Sequence, residues 1–262
     1  MQLHFYKYQG TGNDFIILNN RTGSIDLSQA QIRFLCDRKF GIGADGLMLL
    51  NTIVGYDFEM KYYNADGSES TMCGNGGRCL TRFAYDSGIQ KEQYSFLAID
   101  GPHEAKLANN GWIHLKMIDV STIIKHGDDF VLNTGSPHYI KQVNELDTLD
   151  VFTEGRSIRY NDEFGADGIN VNFVCQAGEC IKVRTYERGV EDETLSCGTG
   201  VTAAALAFAG DSNGFNKINI ETKGGKLTVE FNKIGSNNFN NIWLCGPAVF
   251  VFEGDIDLNL TH

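Results

Sequence analysis

The chain has 262 residues, and 22 lysines and arginines against 33 aspartates and glutamates leave a formal charge of −11. A surface this acidic repels phosphate backbones and anionic lipid headgroups. We therefore expect neither a nucleic-acid partner nor a membrane partner. The 42% of hydrophobic residues suffices for a buried core, and neither a secretory signal nor an apolar run near the ~18 residues of a membrane span is evident. We therefore expect a globular, cytoplasmic protein.

Short strands with a few intervening helices are the predicted elements. In chain order, the patterns predict strands at 4–8 and 15–18, a helix at 29–39, strands at 47–50 and 57–63, a helix at 79–85, strands at 94–99, 112–117, 169–174 and 181–186, a helix at 201–209, and strands at 227–231 and 248–252. Ser28 is the predicted cap of the first helix, and Gly41 its predicted end. The third helix is apolar on all sides, which indicates burial. Strands without regular strand–helix alternation predict an α+β protein.

Two segments of the chain repeat one pattern. Tyr63-Asn64 is followed after eight residues by Cys73-Gly74-Asn75-Gly76, and Tyr186-Glu187 is followed after nine residues by Cys197-Gly198-Thr199-Gly200. In both, a predicted strand leads through an acidic loop to Cys-Gly-x-Gly and the start of a helix. The two cysteines lie 197 − 73 = 124 positions apart, close to half the chain. The repeat predicts two similar halves that meet near residues 116–129.

The location of both thiols at a helix start predicts reactivity. Backbone N–H groups and the positive end of the helix dipole stabilise anions there, so a cysteine at such a place has more thiolate. If Cys73 and Cys197 flank a common cleft, a thiolate removes a proton from one face of a carbon acid while a thiol returns one to the other face. That is the chemistry of a racemase or epimerase. The alternative is that both are small core residues beside tight turns, but two copies in matched contexts favour function.

Eight segments, which span most of the chain, resemble the diaminopimelate epimerase family, the cofactor-independent isomerases of the lysine and peptidoglycan pathways. The strings that carry the resemblance are GTGNDF at 10–15, RKFGIGADG at 38–46, YNADGSE at 63–69, MCGNGGRC at 72–79, GSPH at 135–138, INVNF at 169–173, YERG at 186–189 and SCGTG at 196–200. The resemblance implies interconversion of LL- and meso-diaminopimelate at the α carbon, without a cofactor or a metal.

The resemblance also implies a role for individual residues. Cys73 and Cys197 are the implied catalytic acid–base pair. The implied substrate-binding residues are Gly74, Asn75, Gly76, Gly198 and Thr199 at the reacting carboxylate, Asn13 at the reacting amine, and Asn64, Asn170, Glu187 and Arg188 at the distal end. This division is physically sensible, because arginine forks onto a carboxylate and glutamate pairs with an ammonium. Binding at the distal end supports chemistry at the reacting end.

The implied fold is α+β, with two pseudosymmetric halves that each wrap a strongly curved, mostly antiparallel sheet around a central helix. We expect the N-terminal half at 1–116, with residues 250–262 packed back on it, and the C-terminal half at 117–249. The active site is expected in the cleft between them, and a homodimer is a further expectation from the family.

Two positions depart from the family pattern and leave the substrate open. At position 46 this chain has glycine where the family frequently has glutamine. At position 136 it has serine where the family usually has the asparagine of a Gly-Asn-Pro-His string. The alternatives are a racemase or epimerase of the proline or hydroxyproline type, a non-catalytic protein that binds a small ligand, and a thiol redox protein. No His-Glu-x-x-His or Cys-x-x-Cys string favours zinc. We interpret His138 as a loop or core residue and the acidic run at 191–193 as a solvated loop.

Overall fold

The structure, a computed structural model, describes residues 1–258. Residues 259–262 of the predicted closing segment lie outside the described residues. The chain divides into two compact units: unit 1 comprises Met1–Leu115 together with the stretch that begins at Pro247, and unit 2 comprises Lys116–Gly246. Among residues 1–258, the helices are too short or too polar to traverse a lipid bilayer.

The elements of unit 1 begin with strands β1 (Gln2–Gly10) and β2 (Asn13–Asn20), helix α1 (Gln29–Cys36), and strands β3 (Gly46–Asn51), β4 (Phe58–Asn64) and β5 (Glu69–Ser70). Helix α2 (Gly74–Asp86) and strands β6 (Gln93–Ala98), β7 (Gly101–Leu107) and β8 (Ile113–Lys116) follow. The chain returns to this unit as strand β18 (Val249–Asp257), which pairs antiparallel with β1 from Gln2 opposite Asp257 onward.

The elements of unit 2 begin with strands β9 (Ile123–His126), β10 (Asp129–Asn133) and β11 (Pro137–Gln142), helix α3 (Val151–Arg159), and strands β12 (Asn170–Ala177), β13 (Cys180–Glu187) and β14 (Asp192–Thr194). Helix α4 (Gly198–Ala207) and strands β15 (Gly214–Thr222), β16 (Gly225–Gly235) and β17 (Asn238–Gly246) complete it.

The strand pairings of the two units follow one scheme. In unit 1, β1 is antiparallel to β18 and β2, β2 is parallel to β3, and β4 is antiparallel to β3 and β5 but parallel to β6. In unit 2, β10 is antiparallel to β9 and β11, β11 is parallel to β12, and β13 is antiparallel to β12 and β14 but parallel to β15. Each unit ends in an antiparallel meander. The predicted α+β fold of two similar halves is therefore confirmed.

One long helix packs against most strands of each unit. Helix α2 contacts β1, β2, β3, β4, β7 and β18, and α4 contacts β10 to β13 and β15 to β17. Because strands surround α4, its buried residues are apolar or small on every side, as predicted. Helix α2 starts five residues before the predicted position 79, since glycine, a poor helix former, occupies three of its first four positions and weakens the sequence signal.

Helix α1 begins as predicted and ends early. The side chain of Ser28 accepts the N–H of Gln31, whose side chain in turn accepts the N–H of Ser28, a complete capping box. The helix ends at Cys36 rather than at residue 39, because the carboxylate of Asp37 accepts the N–H groups of Lys39 and Phe40 and draws the chain into a turn. The predicted stop at Gly41 is therefore wrong.

Candidate active site

Both Cys-Gly-x-Gly strings lie where a helix starts, as predicted. Cys73 is the N-cap of α2, and Cys197 is the N-cap of α4. The first hydrogen bonds of the two helical ladders run from Gly77 N–H to the Cys73 carbonyl at 2.7 Å and from Val201 N–H to the Cys197 carbonyl at 2.9 Å. The N–H groups of residues 74–76 and 198–200 precede these bonds and form the end of the helix that attracts anions.

In unit 1, a chain of amide hydrogen bonds joins Cys73 to β2. The Sγ of Cys73 lies 3.7 Å from Oδ1 of Asn13, the first residue of that strand. The side-chain Nδ2 of Asn75 donates to the same oxygen at 3.4 Å. Asn13 in turn donates from Nδ2 to Oδ2 of Asp45 at 2.6 Å. The structure thus brings three of the predicted residues together, and it adds Asp45, which sequence analysis did not single out.

A buried arginine supports this arrangement from inside α2. Arg78 is fully buried, and its Nη2 donates to Oδ1 of Asn75 at 3.0 Å and to Oγ1 of Thr11 at 3.1 Å. Its Nη1 donates to the Gly74 carbonyl at 3.1 Å. Arg78 was assigned no role from the sequence, because Arg82 and Asp86 lie in the same helix and an arginine there is not by itself a sign of burial.

Ion pairs fix the loop that carries Asp45. Asp14 lies 2.7 Å from Nζ of the buried Lys7 and 2.6 Å from Nη2 of Arg38. The same Nη2 lies 2.8 Å from Oδ1 of Asp45. Burial of Asp14 favours its neutral form, but the hydrogen bonds from Arg38 and Lys7 outweigh burial and hold its pKa well below the usual range. The segment 38–46 therefore holds the carboxylate of Asp45 where it accepts the hydrogen bond from Asn13.

Two other positions of unit 1, Gly46 and Asn64, lie opposite each other on β3 and β4. The hydrogen bonds of Asn64 stay within its own turn, where its N–H and carbonyl bond Ser68 and Gly67 at 2.9 Å each. A Cβ placed on Gly46 would lie 2.6 Å from Cε2 of Tyr62 and from the carbonyl of Tyr63. The space that a glutamine would need is thus already filled, which gives a physical reason for glycine at this position.

In unit 2, hydroxyl groups take the place of these amides. The Oγ1 of Thr199 lies 3.5 Å from Sγ of Cys197 and 3.1 Å from Oγ of Ser136. Ser136 lies 2.9 Å from Nε2 of His138, and Nδ1 of His138 lies 3.0 Å from Nδ2 of Asn172. Asn172 is not among the predicted site residues. The signal for it was its spacing of two from Asn170, which places both side chains on one face of a strand.

His138 is a core histidine, as interpreted from the sequence. It is fully buried. Burial, and to a smaller extent the charge of Arg188, lowers its pKa to about 3, so the ring is neutral at physiological pH. Gly200 allows α4 to approach this layer, because a Cβ there would lie 2.3 Å from Oδ1 of Asn172.

Three of the four predicted distal-end residues lie at the ends of β12 and β13, whereas the fourth, Asn64, ends β4 in unit 1. Asn170 donates from Nδ2 to Ser136 Oγ at 3.2 Å and accepts the N–H of Arg188 on Oδ1 at 2.9 Å. The Nη1 of Arg188 donates to the Asp167 carbonyl at 3.0 Å. Glu187 accepts the hydroxyl hydrogen of Thr194 at 2.8 Å. Asn170 and Arg188 are therefore joined to Ser136, Thr199 and Cys197 by one continuous set of hydrogen bonds.

The acidic run at 191–193 is more ordered than predicted. Strand β14 begins within it, and Glu193 pairs with Arg184 at 2.6 Å and with Lys223 at 2.8 Å. Burial alone would raise the pKa of Glu193. The hydrogen bonds and charges of Arg184 and Lys223 have the larger effect, so the pKa lies below its usual value. The interpretation as a solvated loop is wrong for this residue, since its charge is neutralised by two partners.

Comparison with known proteins connects these features to a family. A family model described as diaminopimelate epimerase matches residues 5–123 and 130–251. A protein named diaminopimelate epimerase from Flavobacterium psychrophilum is 52% identical over 258 residues, which cover 97% of this chain and 100% of that protein. The same name is carried by a relative from Chlorobaculum tepidum that is 45% identical over 95% of this chain and 99% of its own length.

A solved structure shares the fold at low sequence identity. The Bacillus anthracis phenazine biosynthesis protein of the PhzF family superimposes with a TM-score of 0.80 at 14% identity, and the match covers 98% of this chain and 100% of that one. At this identity the likeness shows the fold alone. It is the two-repeat architecture that the strand pairings of units 1 and 2 display.

Proposed function

Because the chain belongs to the diaminopimelate epimerase family, we propose that it interconverts LL- and meso-diaminopimelate in lysine and peptidoglycan precursor biosynthesis. The observation that carries this proposal is the near full-length identity of 52% to a protein of that name. A cysteine at the start of the central helix in each of the two repeats supports it.

The mechanism we propose uses Cys73 and Cys197 as two bases. One sulfur, as thiolate, takes the α proton while the electrons of the C–H bond move into the adjacent carboxylate. The other sulfur, as thiol, gives its hydrogen to the opposite face of the same carbon. The charge that develops on the carboxylate is stabilised by the N–H groups of residues 74–76 and 198–199, at the positive ends of α2 and α4. Neither a metal nor a cofactor has a step in this scheme.

The remaining predicted residues hold the substrate. We assign Asn13 to the reacting amine, and Asn64, Asn170, Glu187 and Arg188 to the distal amino-acid end. Arginine and glutamate match the opposite charges of that end. The hydrogen bonds of Asn170 to the Arg188 backbone and to Ser136 support a preorganised site.

Proton exchange in heavy water tests the function. The reduced protein is incubated with meso-diaminopimelate in D₂O, and the α hydrogens are followed by NMR. Exchange together with formation of the LL isomer supports the proposal. Binding without exchange favours a non-catalytic binding protein, and turnover of proline or hydroxyproline in preference to diaminopimelate contradicts the substrate assignment. Omission of the reductant tests the redox alternative, because an epimerase gains nothing from oxidation of its thiols.

Three further expectations complete the proposal: a cytoplasmic location, a homodimer, and an active site shared by the two halves. Strand β18 supports the dimer, because Val249, Phe250, Val251 and Phe252 are each 43–50% exposed, and adjacent apolar side chains on a surface mark interfaces. Light scattering at several protein concentrations measures the molar mass of the wild type and of the Phe250→Glu variant, and this comparison tests the dimer. An unchanged monomeric mass in both proteins contradicts it.

A further inference from the structure

One arginine contacts the two segments that position the predicted distal-end residues of unit 2. Arg159 is the last residue of α3, and its side chain is only 12% exposed. The α3–β12 loop, residues 160–169, leads from this helix to Asn170. The β13–β14 turn, residues 188–191, begins with Arg188. The end of α3 is thus placed to act on both segments.

The guanidinium group of Arg159 joins the loop to the turn. Its Nη1 donates to the Gly165 carbonyl in the loop at 3.3 Å, and its Nε lies 3.4 Å from Oε1 of Glu191 in the turn. Within the described part of the chain this buried Nε has no hydrogen-bond partner. Its burial is therefore compensated by the charge of the nearby carboxylate, and loss of either partner leaves the other charge without compensation.

Gly168 brings the backbone of the loop against both Arg159 and Arg188. A Cβ at this position would lie 2.5 Å from Cζ of Arg159 and 2.7 Å from Cδ of Arg188, and its φ is +74°. The close approach and the left-handed backbone both require glycine. The Nη1 of Arg188 donates to the carbonyls of Asp167 and Gly168, at 3.0 and 3.4 Å. Because Arg159 packs on the segment that supplies these acceptors, a shift of Arg159 displaces the partners of Arg188.

The β13–β14 turn is held by the side chain of Glu191. This residue has a φ of +58°, which is unfavourable for a residue other than glycine and persists where the surroundings fix it. Its carboxylate accepts the N–H of Gly189 and the hydroxyl hydrogen of Tyr186, at 3.1 Å each. Burial alone would raise the pKa of Glu191, but the hydrogen bonds from Gly189 and two tyrosines, with the charge of Arg159, hold it below its usual value. Glu191 is therefore ionised and pairs with Arg159 at neutral pH.

We propose that Arg159 and Glu191 are positioning residues that fix the guanidinium of Arg188, and thereby set the affinity of the site for a ligand with a second carboxylate. Arg159 holds the backbone segment that supplies the acceptors of Arg188, and Glu191 holds the turn on which Arg188 lies. Both act on the substrate only through Arg188. The inference rests on the proposed function, because it takes Arg188 as the group that binds the distal carboxylate. It adds that the selection of a dicarboxylate depends on an ion pair behind the binding residues.

Amide hydrogen exchange of the full-length protein, measured without substrate, tests the positioning role. The N–H groups of Gly189 and Glu191 are both hydrogen-bonded within the β13–β14 turn, so their exchange with D₂O reports on the order of the turn. Mass spectrometry of peptides that contain the turn measures it, and peptides from α4 report on global unfolding. Because no substrate is present, this result is independent of whether the protein epimerises diaminopimelate.

The variant for this measurement is Arg159→Met, which keeps an apolar stem and removes the charge. Arg156→Met is the matched control, since Arg156 and Arg159 both stack on the ring of Tyr160, at 5.1 and 4.6 Å, but Arg156 is exposed. We expect Arg159→Met to speed exchange of the turn at least about tenfold, as for a lost bond to a charged group, with α4 and the control variant unchanged. Wild-type exchange of the turn in Arg159→Met overturns the proposal.

Steady-state kinetics with meso-diaminopimelate separate positioning from a general loss of structure. We expect Arg159→Met and Glu191→Gln each to raise KM about tenfold, with little change in kcat, because the affected contact binds substrate and transition state alike. The double variant should raise KM no further than either single variant, since both substitutions break one ion pair. Arg159→Lys, which keeps the charge, should recover part of the affinity. A loss confined to kcat, or independent effects in the double variant, contradicts the proposal.

Inhibition by lysine identifies the end of the substrate that is affected. Lysine has the reacting amino-acid end and a distal ammonium but lacks the second carboxylate. We expect its inhibition constant to be the same in Arg159→Met as in the wild type, although KM for diaminopimelate rises. An equal weakening for both ligands would place the effect outside the contact with Arg188 and overturn the proposal. A wild-type protein without turnover of diaminopimelate would instead contradict the proposed function, and amide exchange would still decide the positioning role.

Discussion

The guanidinium of Arg78 and the side-chain amide of Asn75 lie on the first turns of one helix, with Nη2 and Oδ1 3.0 Å apart and both side chains buried. Arg78 also donates to Thr11 on the β1–β2 connection. A single side chain thus ties the start of α2 to the loop that precedes Asn13. The site of unit 1 depends on this contact for its shape.

Replacement of Arg78 should therefore cost stability. We expect Arg78→Lys to lower the free energy of unfolding by about 1–3 kcal/mol, because buried acceptors on Asn75 and Thr11 lose their donor. Urea denaturation measures the change. Arg82→Lys on the same helix is the matched control, since Arg82 forms a partly exposed pair with Asp86, and such pairs contribute at most about 1 kcal/mol. Equal effects of the two substitutions would contradict the structural role of Arg78.

Loss of either thiol of the proposed catalytic pair should abolish epimerisation. General acid–base groups contribute about 10²–10⁴-fold each to a rate, so we expect Cys73→Ala and Cys197→Ala each to lose at least that factor in kcat. Coupled assays of LL isomer formation measure it, and Cys175→Ala, a thiol on β12, keeps wild-type turnover. Retained epimerisation in either single variant would refute the two-base mechanism.

The ion pairs of Asp14 predict a loss of stability in acid. Its pKa in the folded protein lies below the value of ~3.9 in an unfolded chain. The contribution of Asp14 is therefore fully present above pH ~3.9 and is lost as pH falls through the lower folded pKa. At neutral pH we expect Asp14→Asn to cost about 3 kcal/mol, because Lys7 keeps its hydrogen bond to the Gly43 carbonyl but is left buried without the negative charge of Asp14.

The comparison of wild type with Asp14→Asn is made by chemical denaturation across pH. The difference in the free energy of unfolding between wild type and Asp14→Asn should stay constant near neutral pH and shrink below pH ~3.9. The exposed Asp128, substituted in the same way, is the control. A difference in the free energy of unfolding that grows toward low pH would contradict a lowered pKa of Asp14 in the folded protein.

Restoration of the family's frequent residue at position 46 should destabilise this chain. A Cβ there meets Tyr62 and the Tyr63 carbonyl at 2.6 Å, and overpacking of this kind costs about 1–3 kcal/mol. We expect Gly46→Gln to lower the thermal midpoint without a gain in kcat/KM. Gly210→Ala, where an added Cβ meets nothing within 4 Å, leaves the midpoint in place. A more active and equally stable Gly46→Gln variant would show that the site tolerates the side chain.

A conservative substitution tests the proposed contact of Arg188 with the distal end of the substrate. We expect Arg188→Lys to raise KM about tenfold, because lysine lacks the planar fork that binds a carboxylate at two points. Steady-state kinetics with meso-diaminopimelate separate KM from kcat. Arg156→Lys on α3 is the control. An effect confined to kcat would assign Arg188 to the chemistry rather than to binding.

The features that local patterns encode could be predicted from the sequence. The cap at Ser28, the buried helix α4 and the repeated Cys-Gly-x-Gly strings all depend on residues close together in the chain. The predictions missed α3, whose Gly155 reads as a helix breaker. That glycine is required by packing, because a Cβ would lie 2.3 Å from Cβ of Tyr186 on β13. Strand β15 also escaped notice, since its residues are mostly exposed and give little apolar alternation.

The chain of hydrogen bonds from Asn172 to Cys197 could not be predicted. Its members come from β12, from β11 and the residue before it, and from the start of α4. They meet because β11 and β12 pair in parallel with His138 opposite Asn170. A shift of one residue in that register would point Asn172 to the other face of the sheet. Strand register is a tertiary property, and one sequence contains no direct record of it.

The pairing of β18 with β1 makes unit 1 discontinuous in the chain. During synthesis the first strand leaves the ribosome long before its partner, since Gln2 pairs with Asp257, whereas unit 2 is a single uninterrupted stretch. An unpaired strand edge invites association with other chains. Nascent molecules therefore pass through a period in which one edge of β1 is open to aggregation, and the pairing of β18 with β1 ends that exposure.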